Sequence, residues 1–278
     1  MNKLLLSLTV LLLSVVAQAN DTATSVGYQQ ALQALKDGNE RYVAGQPREW
    51  DNGQAKRELL AKGQHPLACV VTCSDSRVSP ELLFDQAIGD IFVVRLAGNI
   101  VTMEAAGSIE YAVSHLGASL VVVLGHSACG AVGAAIANPE LSGSVGSIVA
   151  QLQPAVQAAR MKGYAEAELP MAVATENARH GVDLLMQNSR AVDEGVKLGH
   201  VAVCSATYDL TTGATTWHTQ TCAPESMPSE THVAKVETHA AHEASHEVHQ
   251  AAAPAAEEHG KKSKRREKRE AEEHTSRH

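Results

Sequence analysis

After its first nineteen residues the sequence has no apolar run of bilayer-spanning length, so no stable membrane insertion is expected. It lacks an excess of positive charge: the net charge is -8, with 23 Lys and Arg against 31 Asp and Glu. That balance argues against nucleic acid as the main partner. No internal repeat is visible, which excludes a repeat array. From Ala223 onward the large apolar residues thin out, and Ala, Glu, His, Lys and Arg take over, with Pro224, Pro228 and Pro254 as breakers. Such a segment buries too little surface to offset its ordering entropy, so 223–278 is expected to be a disordered tail. Its basic run, Lys261 to Arg266, is followed by acids and reads as solvated charge.

What is present begins with a leader. Lys3, the apolar stretch Leu4 to Val16 and the A-x-A site Ala17-Gln18-Ala19 have the form of a cleaved signal peptide, 1–19, which implies a periplasmic or secreted protein. Residues 20–222 remain for one domain with a sizeable core. The chain has five cysteines, Cys69, Cys73, Cys129, Cys204 and Cys222. An odd number fits a pure disulfide framework poorly and suggests another task for some thiols. Cys69 and Cys204 fall in expected strands as core thiols, and Cys222 lies where it could reach Cys204.

Short apolar runs at 67–72, 91–94, 120–124 and 201–204 suit buried parallel strands. Helical spacing is expected at 25–45, 53–62, 102–115, 129–137, 145–161 and 170–194. Strands alternating with helices predict an α/β fold, a mainly parallel sheet covered on both faces. Thr211-Thr212-Gly213 between 208–210 and 214–217 predicts a closing antiparallel hairpin.

Ligands of such sheets gather beyond the carboxyl ends of the strands. Two features fall there: Cys73-Ser74-Asp75-Ser76-Arg77 and His126-Ser127-Ala128-Cys129-Gly130. Two thiolates and one imidazole suit zinc and leave a fourth position, as a catalytic zinc requires. Cys73 and His126 would each also pass as ordinary core residues. Asp75 and Arg77 lie two apart on one side of an extended loop. Held by the arginine fork, Asp75 leaves the fourth position open; released, it becomes a fourth ligand in a closed state. The plain alternative is a loop salt bridge.

The two signatures together resemble the β-class carbonic anhydrases. The likeness runs through most of 30–205 and includes Gly38-Asn39-Glu40-Arg41-Tyr42, Gly89 to Arg95 and Gly107 to Ala112. It implies one Zn2+ per subunit on Cys73, His126 and Cys129, a catalytic dyad of Asp75 and Arg77, and reversible hydration of CO2 to bicarbonate. It also implies a substrate pocket at Gln64, Phe92, Tyr111 and Gly130, formed where subunits meet in a homodimer or dimer of dimers. Members often read Arg-Asn-x-Ala-Asn where this chain has Arg95-Leu96-Ala97-Gly98-Asn99, a departure near the implied interface. Rival readings keep the fold with another heteroallene such as CS2, or keep the zinc without catalysis.

The tail carries eight histidines, His239, His242, His246 and His249 being spaced three or four apart. This composition suits capture of extra metal as well as plain solvation. The capture reading expects that deleting 223–278 lowers CO2 hydration when zinc is scarce and not when it is ample. Equal activity of the two forms at both zinc levels would leave solvation.

Overall fold

The computed structural model describes residues 26–137 and 140–218. The expected leader 1–19, the tail 223–278 and Cys222 lie outside the described residues. Five strands form one sheet: β1 (Ala68–Thr72), β2 (Ile91–Arg95), β3 (Leu120–His126), β4 (Ala202–Tyr208) and β5 (Thr215–His218). Their order is β2-β1-β3-β4-β5, with β5 alone antiparallel, as the hairpin signal predicts. β1, β3 and β4 are buried along their whole length, which explains their unbroken apolar runs. β2 is an edge strand and is buried only in part.

Alternation along the strands sends successive side chains to opposite faces. On one face Val70, Val122, Leu124 and Ala206 meet helix α1 (Tyr28–Val43), through Ala31 and Leu35, and Leu83 and Phe84 around the short α3 (Pro80–Leu83). Helix α2 (Gln54–Leu60) buries none of its residues. On the other face Cys69, Val71, Val121 and Val203 meet α4 (Met103–Leu116), α7 (Leu169–Asn188) and α8 (Arg190–Lys197). A third cluster joins α5 (Gly130–Ala137) and α6 (Gly143–Met161) to α7, and it includes Cys73 and Cys129.

The expected helix 170–194 is two helices. Ser189 leaves helical geometry at φ -121°, its Oγ accepts from Val192 N at 3.3 Å, and it donates to Glu110 Oε2 at 2.6 Å. An N-cap in mid-run starts a new helix. The expected strand 201–204 runs on to Tyr208, because Ser205 and Thr207 are buried although polar. Cys69 is a free buried thiol, pushed up to about 12 by that burial. Cys204 lies in the core as expected but is disulfide-bonded, not a thiol. Among the described residues no helix is long and apolar enough to cross a membrane.

The segment Gly38 to Arg41 fastens α1 to the sheet. A Cβ at Gly38 would lie 1.7 Å from Phe84 O, so only glycine permits the approach. Asn39 Nδ2 donates to Leu83 O and Gly213 O, and its Oδ1 accepts from Thr215 N. Asp85, 3 % exposed, accepts from Arg41 Nε at 2.5 Å, Trp50 Nε1 at 2.9 Å and Arg48 N at 3.1 Å. Burial pushes the Asp85 carboxyl up, but these donors outweigh it and leave it below its ordinary value. A depressed folded pKa gives stability that is full above the unfolded value of about 3.9 and lost as pH falls through the folded one. Asp85→Asn should therefore cost about 2–4 kcal/mol at neutral pH. In urea titrations the gap to the wild type should narrow below about pH 4.

Candidate metal centre

β1 and β3 are parallel neighbours, with Thr72 opposite Leu124. Cys73 and His126 therefore leave the sheet at one edge. Ala128, at φ 52°, then turns the chain so that Cys129 comes back beside Cys73 ahead of α5. Cys73 Sγ lies 4.0 Å from Cys129 Sγ, and both thiols are free. The donor atoms of Cys73, His126 and Cys129 all fall within 4.8 Å of one another.

The imidazole is set for one task. Nδ1 of His126 lies 2.8 Å from Ser127 O, which can only accept, so Nδ1 carries the proton. Nε2 is left as a bare lone pair, buried and without a hydrogen-bond partner. An orphaned acceptor beside two sulfurs is costly unless something electropositive is bound there. Sulfurs about 2.3 Å from a tetrahedral zinc stand roughly 3.8 Å apart, close to the separation found here. The donor set thus fits a zinc-like ion. Ser127 is itself pinned to β4: its N donates to Tyr208 O, and its Oγ accepts from Leu210 N, both at 2.8 Å.

The thiols share charge unevenly. Cys73 is held well below its usual thiol value, first by the Cys129 hydrogen bond and further by the N–H of Gly98, 3.2 Å from its sulfur. Cys129 moves the opposite way, because Cys73 beside it takes the charge. One thiolate is thus already favoured before any cation arrives.

Asp75 and Arg77 form the expected fork. Arg77 Nε donates to Oδ1 at 2.9 Å and Nη2 to Oδ2 at 2.7 Å. The Arg77 side chain, then its backbone N–H, holds the Asp75 carboxyl far below the ordinary carboxylate range. Asp75 Oδ2 is 4.0 Å from His126 Nε2. Arg77 Nη2 also donates to Ala128 O at 3.2 Å, tying the first loop to the second. Gly130 opens α5 directly after Cys129.

The other three expected pocket residues lie elsewhere in the chain. Phe92 pairs with Cys69, four residues before Cys73, or about 13 Å back along the sheet. Its ring sits 6.4 Å from that of Tyr111, which is 49 % exposed. Gln64 is exposed at the amino end of β1, opposite the donors. Arg95 is a residue that spacing did not single out. Its Nε donates to Cys73 O at 3.1 Å and its Nη2 to Asp75 O at 2.6 Å, clamping the donor loop. A charged residue closing an apolar strand was the available signal. Arg95→Ala should cost about 1–2 kcal/mol in stability. It should also speed amide hydrogen exchange at Asp75 to Arg77; unchanged exchange there would refute the clamp.

Comparison with known proteins covers the span that carries this geometry. A carbonic anhydrase family model matches residues 68–215, which contain both donor loops. Carbonic anhydrase 2 of Mycobacterium tuberculosis is 41% identical over 187 residues, 66% of this chain and 89% of that protein. The β-carbonic anhydrase CafA of Aspergillus fumigatus superposes with a TM-score of 0.55 at 26% identity, covering 69% of this chain and 90% of that one. A tetrameric β-carbonic anhydrase from Sordaria macrospora gives 0.54 at 27% identity, over 58% of this chain and 84% of that one. Fold, matched span and relatives thus coincide, and the chain belongs to the β-carbonic anhydrase family.

Proposed function

We propose that this carbonic anhydrase is zinc-dependent and hydrates CO2 reversibly to bicarbonate and a proton through the site at Cys73, His126 and Cys129. The observation that carries the reading is the bare, buried Nε2 of His126 facing two free thiols 4.0 Å apart. Zinc, when bound, supplies the Lewis acidity that makes water nucleophilic near neutral pH. Cys73, His126 and Cys129 would hold the ion with three donors and would leave room for that water.

The chain's own residues then orient the reaction. Asp75 is ionised at any working pH, so its oxygens act only as acceptors. Arg77 donates from both Nε and its backbone N–H to Oδ1 and from Nη2 to Oδ2, which leaves one lone pair on Oδ2 to accept from the attacking water. By fixing the carboxylate, Arg77 also keeps Asp75 from becoming a fourth donor. About the length of β1 separates Gln64 and the register position of Phe92 from Cys73, which supports a dimer, or a dimer of dimers, whose copies line one another's sites. The tetramer from Sordaria macrospora is consistent with such assembly. Export is supported by the signal-like leader and by the disulfide at Cys204, since disulfides persist in oxidising compartments.

Cys73→Ser, His126→Ala and Cys129→Ser should each lose zinc and CO2 hydration together, read by metal content and stopped-flow assay. Full activity in a zinc-free variant would end the assignment. Asp75→Asn should keep its zinc while turnover drops roughly 10- to 100-fold, the usual cost of a misplaced outer-sphere group.

A further inference from the structure

The sulfur of Cys73 does not stand alone. The loop between β2 and α4 brings the N–H of Gly98 to 3.2 Å from it. That loop is neither strand nor regular helix: Gly98 has φ 71° and Asn99 φ 44°, two left-handed residues in succession. Geometry of this kind persists only where the surroundings hold it. A Cβ at Gly98 would meet Leu152 Cδ1 at 3.1 Å and Ala131 Cβ at 3.2 Å, so the packing there is already close.

The other end of Gly98 is held from a distant helix. Asn177, on α7 and 3 % exposed, donates from Nδ2 to Gly98 O at 2.8 Å, across 79 residues of sequence. Gly98 is thus fixed on both sides, by the Cys73 sulfur at its N–H and by Asn177 at its carbonyl. We infer that Asn177 is a positioning residue for the metal donor Cys73: it holds Gly98 so that a backbone N–H withdraws charge from that sulfur. The inference rests on the zinc reading above. Its physical content is that hydrogen bonds to a ligating sulfur tune the metal it holds. A site with two thiolates has much charge to withdraw, because each lowers the acidity available at the open position. The lever lies on this chain's own α7, outside both signature loops.

A merely structural Asn177 would affect stability alone, so the test must read the sulfur. Cobalt(II) is substituted for zinc in the whole protein, where the thiolate-to-cobalt charge-transfer band reports charge on sulfur. Asn177→Asp keeps the shape and removes the donor; Asn177→Leu removes all polarity. In both, the band should move to longer wavelength and the pH profile of CO2 hydration to higher pH. The value of kcat/KM should fall about 10- to 100-fold at one metal per chain. Gly98→Ala, which disturbs the same loop without touching Asn177, should move the band the same way and carries the test if the Asn177 variants do not fold. A folded, metal-loaded variant with the wild-type band and pH profile overturns the inference alone. A wild type without any thiolate band overturns the metal-site reading and this inference with it.

Discussion

The parallel pairing of β1 with β3 is the constraint on which the site depends. With Thr72 opposite Leu124, β1 ends one residue before Cys73 while β3 runs two residues further to His126, so both donors stand at one end of the sheet. Thr72 Oγ1 donates to Leu124 O at 3.2 Å, adding a side-chain bond at the level where the loops begin. A slip of one residue would move every side chain of a strand to the opposite face. Burial of both strands on both faces resists that slip, because Val70 and Val71 point to different cores. The donor geometry is therefore a consequence of core packing several residues away.

Close backbone approach completes the arrangement. A Cβ at Gly125 would lie 2.8 Å from Ala174 O, so the residue before His126 must be small for α7 to pack there. Ala128 carries a left-handed conformation without being glycine, at a cost of about 1–2 kcal/mol. Arg77 accepts part of that burden by donating to Ala128 O while it holds Asp75. One guanidinium thus fixes the acid and the turn that delivers Cys129. The exposed loop after β1 is held by bonds from Arg95 at the end of β2 and from Arg77 within it, as a preorganised site requires.

Much of this is legible in the sequence, and the limits have physical causes. The three buried strands, β1, β3 and β4, appear as apolar runs because both faces of the sheet are covered there. The donors appear because Cys, His and Asp at strand ends have few other uses in such numbers. What stays hidden is whatever depends on three-dimensional neighbours. Ser189 divides a helix through a partner on α4, 79 residues away, and no periodicity announces that. Arg95 and Gly98 act through backbone atoms, which every residue has. Gln64, Phe92 and Tyr111 carry no signal of their own, and within one chain they do not meet the donors.

The arrangement also resolves a conflict in its own chemistry. Two thiolates hold a soft cation firmly but neutralise it, which weakens its effect on bound water. Replacing a sulfur by nitrogen would relieve the charge at the cost of one thiolate bond. The chain instead keeps both sulfurs and surrounds one with donors: Gly98 N–H reaches Cys73 directly, while Arg95 draws on the carbonyl of the same residue. The nearest carboxylate, Asp75, is held by Arg77 and adds no third full charge to the donor set. On the proposed zinc reading, acidity at the open position would follow how tightly the loops beyond β1 and β2 are held. Hydrogen bonds therefore converge on loops that also bury Cys73, Val78, Ile100 and Val101 in the core.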